Sequence, residues 1–270
     1  MLLSVGCTLA YDVIAPTAHF TFNILANRDP FQHLVEEEIR LAPEIPIGER
    51  TATSKGNRVF RVEVPTGPFE VNYRATMEVN RPAIPADLRA DNPGRLPLSI
   101  LTYMLPSRYC ESDRFSQTAW DLFGRIPSRV EQVAEICRWV DTTLVYTPGA
   151  TDSRTSAWEA WQLRKGVCRD YTHLAIALCR ALSIPARYVG GYALGLAPMD
   201  FHACFEAYLG GRWYLFDPTD GIAPDHIVVI ARGRDAANAA LTTIFGKVNS
   251  RAVKVVCEVA AANPPVALEG

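Results

Sequence analysis

The chain has 270 residues, a net charge of −2 and 49% apolar residues, which suits one large or two modest soluble domains, each with its own core. It carries no basic field to draw in nucleic acid or an anionic membrane, and no apolar run reaches the roughly 18 residues of a bilayer span. Its seven cysteines are odd in number, irregularly spaced and without a Cys-x-x-Cys pair. That argues against a disulfide framework or a structural metal site and points to a reducing cytoplasm.

Met1 to Asp12 is mildly apolar but lacks a basic leader, so it reads as a strand rather than a signal peptide. Residues 1–80 read as β. Val5, Cys7, Leu9, Tyr11 and Val13 alternate with small or polar residues, as do Phe20, Phe22 and Ile24, and then Phe60, Val62 and Val64. The longest run pairs Phe69, Val71, Tyr73, Ala75, Met77 and Val79 with intervening polar residues. Period-two alternation of this kind puts one face of a strand in a core. Thr66-Gly67-Pro68 reads as a turn between two strands. Several short strands with turn signals predict a sandwich-like β domain. Between Arg81 and Leu98 five prolines and glycines break the pattern, so the expected division is a β domain over 1–95 and a second domain over 96–270.

In the second domain the period lengthens. Ser128, with Glu131 three residues on, predicts a helix start, and Val133, Ile136, Cys137 and Val140 share one face. Trp158, Trp161 and Gln162 fall in a second, short helix. A third runs from about Val167 to Leu182 and stops at Ser183-Ile184-Pro185. Strands follow at Arg187–Tyr192 and His202–Leu209. After the Gly210-Gly211 turn come Trp213–Phe216, Ile227–Ile230 and Val253–Val259. Helices followed by an antiparallel sheet predict an α+β fold. The tail, Ala262 to Gly270, carries no lipidation or retention signal.

Three residues draw attention. Cys168 opens a helix, where unpaired backbone N–H groups and the dipole favour a thiolate, the nucleophilic form. Cys179 lies in the same helix, roughly 16 Å further along, and reads as core. His202 begins a strand and Asp217 ends the strand paired with it, so the two are expected to be neighbours across the hairpin. A carboxylate there would orient the imidazole and support its protonated form. His173 lies round the helix from Cys168, His226 is a weaker alternative base, and Asp220 is a fallback for Asp217. Taken singly, each residue also has a bland reading: a buried thiol, a packed histidine, an aspartate in a turn before proline.

Together the motifs resemble the bacterial transglutaminase-like superfamily. Gly166-Val167-Cys168-Arg169-Asp170-Tyr171 is similar to its nucleophile motif, and Ala181 to Val189 to its helix-to-strand segment. Asp200 to Ala207 resembles its histidine motif, and Trp213 to Thr219 its aspartate motif. Ser183 stands where glycine is usual, a departure expected to matter little. The resemblance covers about residues 100–260. It implies a papain-like core of helices on an antiparallel sheet, a Cys168–His202–Asp217 triad, no cofactor or metal, and a peptide or protein substrate. The oxyanion donors expected are the Cys168 N–H and one of Gln162, Trp161 or Trp158. Asp170 and Arg187 read as structural. The expected chemistry is hydrolysis of a peptide or amide bond through a thioester, with transamidation or a non-catalytic binding scaffold as alternatives. No carboxylate cluster suggests a calcium-regulated cross-linker.

Overall fold

Alternation at the N-terminus builds a few very long strands in place of many short ones. The computed structural model describes residues 1–54, 56–85, 88, 92–219 and 221–260; Asp220 and the tail from 262 lie outside the described residues. The first part contains β1 (Leu2–Phe22), β2 (Gln32–Ala42), β3 (Glu49–Ala52) and β4 (Arg58–Val79). β1 and β4 pair antiparallel along nearly their whole lengths, with one register shift between Val13 and Thr17. Tyr11 and Phe22 are eleven residues apart, about 36 Å along a straight strand. Their ring centroids nevertheless lie 6.3 Å apart, so β1 folds back on itself at this bulge. Thr66-Gly67-Pro68 is therefore a corner inside β4 and not a turn between two strands. There Gly67 has φ +131°, and the Thr66 hydroxyl donates to the Ala15 carbonyl at 2.6 Å. The two bent strands make a sandwich-like fold filled by Tyr11, Phe20, Phe22, Phe60 and Phe69. β2 and β3, both largely exposed, join the flank of β4.

The second part begins with α1 (Leu98–Leu101), α2 (Ser116–Phe123) and α3 (Arg129–Thr143). The Ser128 hydroxyl caps α3, accepting the Glu131 N–H at 3.3 Å. Then come β5 (Val145–Tyr146), α4 (Ala157–Leu163), β6 (Lys165–Gly166) and α5 (Cys168–Ala181). Every residue of α5 from Asp170 to Arg180 is buried, so the helix is covered on its polar positions as well as along the apolar face of Leu174 and Leu178. Its last turn closes with Ser183 N–H on the Arg180 carbonyl and Ile184 N–H on that of Cys179, both at 2.9 Å. This places Ser183 at φ +61°. The missing glycine is thus a real strain for a side chain with a Cβ.

α5 packs on β7 (Ala186–Ala193) and β8 (Phe201–Leu209). With β9 (Arg212–Phe216) and β10 (Ile227–Gly233) these form an antiparallel sheet in the order β10-β7-β8-β9. Gly210 and Gly211, at φ +57° and +82°, make the β8–β9 turn, which needs two left-handed residues. No helix among the described residues is long and apolar enough to cross a membrane.

β11 (Thr242–Phe245) and β12 (Val248–Val259) leave this sheet and pair with the two halves of β1. The closing strand, assigned by sequence to 96–270, thus belongs to the first sheet; its alternation says that it is a strand but not which partner it takes. The two parts also meet at the edge strand β10. The buried Gln32 amide accepts the Val229 N–H and donates to the Val229 carbonyl, each at 2.9 Å. Buried Asn57 does the same for Arg232, at 2.7 and 2.8 Å. Two side-chain amides thereby act as the missing neighbouring strand. Nearby, Glu206 accepts from Arg187 at 2.6 Å and from Arg232, and Arg232 reaches Asp29 at 2.6 Å. Burial pushes the Glu206 carboxyl up, but the two guanidinium groups outweigh this and hold it down at about 2. Arg187 is structural, as its sequence context suggests.

Candidate active site

Cys168 is the first residue of α5, and the loop before it is tied down from two sides. The β5–β6 ladder is parallel and pairs Tyr146 with Gly166, and the Thr147 N–H reaches the Gly166 carbonyl at 2.8 Å. From the helix side, fully buried Asp170 accepts the Val167 N–H at 2.8 Å and the Thr151 hydroxyl at 2.6 Å. Its other oxygen faces Arg169 at 3.3 Å. Gly166 lies so close that a Cβ there would sit 2.6 Å from the Asp170 Cβ. Glycine at 166 and aspartate at 170 are thus one device that fixes where the sulfur emerges. Cys168 is partly exposed.

His202 and Asp217 meet as the hairpin argument anticipates, but diagonally. The β8–β9 ladder ends at Phe205–Phe216, and Asp217, one step beyond, reaches back. His202 Nε2 and Asp217 Oδ2 are 2.7 Å apart, with both side chains almost completely buried. The second carboxylate oxygen accepts the Thr219 N–H at 3.0 Å and the Thr219 hydroxyl at 2.7 Å. With Nε2 occupied, Nδ1 is the ring nitrogen left for Cys168, whose side chain interacts with the imidazole. Burial pulls the imidazolium pKa down. The Asp217 hydrogen bond and then the Cys168 interaction outweigh this and push it up to about 9. At neutral pH the ring is therefore an imidazolium between a carboxylate and a sulfur, able to give a proton to a leaving group.

The other sequence candidates fall elsewhere. His173 is buried in the core, stacked on Tyr109 at 5.0 Å, and its Nε2 accepts the Ala236 N–H at 3.2 Å. Burial pushes its pKa down to about 3, so it is neutral. His226 precedes β10, and its carbonyl accepts the Leu194 N–H at 3.0 Å. Cys179 is fully buried and burial pushes its thiol up. Of the α4 residues, Gln162 is exposed and lines a surface depression with Arg108, Arg154 and Thr155. Trp158 and Trp161 pack with Phe115, and the Trp161 indole N–H is buried there without a hydrogen-bond partner. Sequence reasoning missed Thr219 and Tyr146. An Asp-x-Thr step could have suggested a side-chain turn around Asp217; nothing in the sequence ties Tyr146 to a cysteine 22 residues away. Among the described residues no group of three or more His, Cys, Asp or Glu side chains is placed to hold a metal ion.

Comparisons with known proteins identify the family and the fold. Residues 1–85 match the family "Bacterial transglutaminase, N-terminal domain", and residues 117–218 match "Transglutaminase-like superfamily". A solved structure from Cytophaga hutchinsonii, described as a candidate cysteine protease, is 39% identical. It superposes with a TM-score of 0.92 over 97% of this chain and 92% of that one. An uncharacterised protein of Mycobacterium leprae is 31% identical over 137 residues, 47% of this chain and 49% of that protein. An uncharacterised Mycobacterium tuberculosis protein is 32% identical over 130 residues, 42% of this chain and 41% of its own length. The matches thus take in about half or less of these mycobacterial relatives. With this fold and both regions matched, the chain belongs to the transglutaminase-like superfamily.

Proposed function

We propose that this protein is a cysteine-dependent acyl-transfer enzyme that hydrolyses a peptide or amide bond, with Cys168 as nucleophile, His202 as acid and base, and Asp217 as the group that orients His202. The observation that carries the proposal is the buried 2.7 Å contact between His202 Nε2 and Asp217 Oδ2 beside a cysteine at a helix start. The Cys168 thiolate forms a bond to the carboxamide carbon. The C–N bond then breaks, and the leaving amine takes its proton from His202. A thioester remains, and water activated by His202 releases the acid. The name of the Cytophaga hutchinsonii relative supports hydrolysis over transfer to an amine.

The proposed substrate is a peptide or protein. A reducing cytoplasmic setting is proposed on the seven cysteines, all of them free. The test is a screen of peptide and glutamine-amide libraries with wild type and Cys168→Ala, with and without an added primary amine, read by mass spectrometry. Hydrolysis products that need Cys168 and do not incorporate the amine are expected. Amine adducts would identify a transglutaminase, and identical product profiles for the two proteins would leave a binding scaffold.

A further inference from the structure

Tyr146 stands at the site without a motif to announce it. It lies in β5 opposite Gly166. The flanking Val145 and Thr147 amides bond to the Arg164 and Gly166 carbonyls at 2.9 and 2.8 Å. Its backbone is therefore fixed to the segment that ends at Cys168. Its ring packs on that of Tyr171, centroid to centroid 5.9 Å, and Tyr171 is one helical turn beyond Cys168. The Tyr146 hydroxyl lies beside both the Cys168 side chain and the Cys168 backbone N–H. These two groups bracket the place where a substrate's carbonyl oxygen must sit while sulfur bonds to its carbon. Burial first, and then the Cys168 charge, raise the phenol above its usual 10, so at neutral pH it is an O–H donor. The residue is 53% exposed, which gives the ring room to yield the width of one oxygen atom.

We propose that the Tyr146 hydroxyl is the second oxyanion donor of this site, acting with the Cys168 N–H. The proposal rests on Cys168 being the nucleophile. As the thiolate pair forms the C–S bond, the carbonyl π pair moves onto oxygen, and that oxygen accepts from both donors. When the C=O re-forms, the amine departs with the proton from His202, and Tyr146 keeps its own proton throughout. Losing one such donor costs about 10²- to 10³-fold in rate.

Two reagents separate this role from any other. Acylation of Cys168 by p-nitrophenyl acetate passes through an oxyanion and releases p-nitrophenolate. Alkylation by iodoacetamide displaces iodide at a saturated carbon and forms no oxyanion. Both use the same sulfur. In the full chain, Tyr146→Phe is expected to slow acylation by about 10²-fold and to leave alkylation within about two-fold. Acylation that stays near the wild-type rate overturns the proposal. So does faster acylation, which would make the hydroxyl an obstruction, and so do equal losses in both reactions, which would mean that Tyr146 acts on the thiol itself. If wild-type Cys168 reacts with neither reagent faster than the other cysteines do, the nucleophile reading fails and takes the donor role with it.

Discussion

Replacing Asp217 with asparagine keeps the shape of the side chain and removes the charge that holds the His202 ring protonated. In the wild type, burial works against the imidazolium, and the Asp217 hydrogen bond is the largest influence opposing it, bringing the pKa from 6.5 to about 9. Without the carboxylate only the Cys168 interaction still opposes burial, and the ring should return to about its ordinary 6.5. The difference is worth about 3 kcal/mol between the two protonation states. At pH 7.5 a ring with that lower pKa is protonated in about one molecule in ten, whereas the wild-type ring is almost fully protonated. Loss of orientation adds to this, so amide hydrolysis at pH 7.5 should fall by about 10²- to 10⁴-fold. The assay is paired: the alkaline limb of kcat/KM against pH, and an NMR titration of the histidine ring protons. The chain has five histidines, and buried His173, held at about 3, serves as a ring that stays neutral through the range. In wild type both measurements should show a group titrating near 9, and in Asp217→Asn that group should move down by two units or more. The same shift governs stability. A folded pKa above the unfolded one contributes fully below pH 6.5, and the contribution, up to about 3 kcal/mol, is lost as pH rises through about 9. A high-pH histidine titration that is unchanged in Asp217→Asn would refute this reasoning.

Three further substitutions probe the frame that holds the site. Gly166→Ala puts a Cβ 2.6 Å from that of Asp170; unfolding in urea should show a loss of about 2–3 kcal/mol, together with slower iodoacetamide labelling of Cys168. Ser183→Gly relieves the φ of +61° and should raise stability by about 1 kcal/mol without changing activity; an unchanged or lower denaturation midpoint would contradict this. Asn57→Leu strips Arg232 of both backbone partners, bonded at 2.7 and 2.8 Å; it should cost about 2–4 kcal/mol and raise amide exchange along β10 before the rest of its sheet.

Much of the fold can be read from the sequence where one local rule suffices. The alternation from Phe69 to Val79 gives a strand, Ser128 and Glu131 begin a helix, and Gly210-Gly211 turns a hairpin. The candidate site residues are legible for a related reason. A cysteine at a helix start and a histidine and aspartate on adjacent strand ends are chemical types whose positions follow from short-range structure. What stays hidden depends on partners far away in the chain. The bend in β1 comes from three of its residues opposing one of β4, and no single segment encodes that. β2 and β3 show mostly polar, exposed residues because they flank the sheet. The roles of Gln32 and Asn57 depend on the edge of a strand about 175 or more residues later. Tyr146 reaches Cys168 only through a two-residue ladder. The strain at Ser183, with φ +61°, stays hidden because a left-handed residue is visible only once the helix end is seen.

The most direct measurement is the mass of the enzyme itself during turnover. Wild-type protein quenched in acid while it processes an amide substrate should carry the acyl group on the peptide containing Cys168, and hydroxylamine should remove it. Cys168→Ala should carry none. Turnover with no acyl group ever found on Cys168, or an acyl group of equal abundance on another cysteine, would contradict the account.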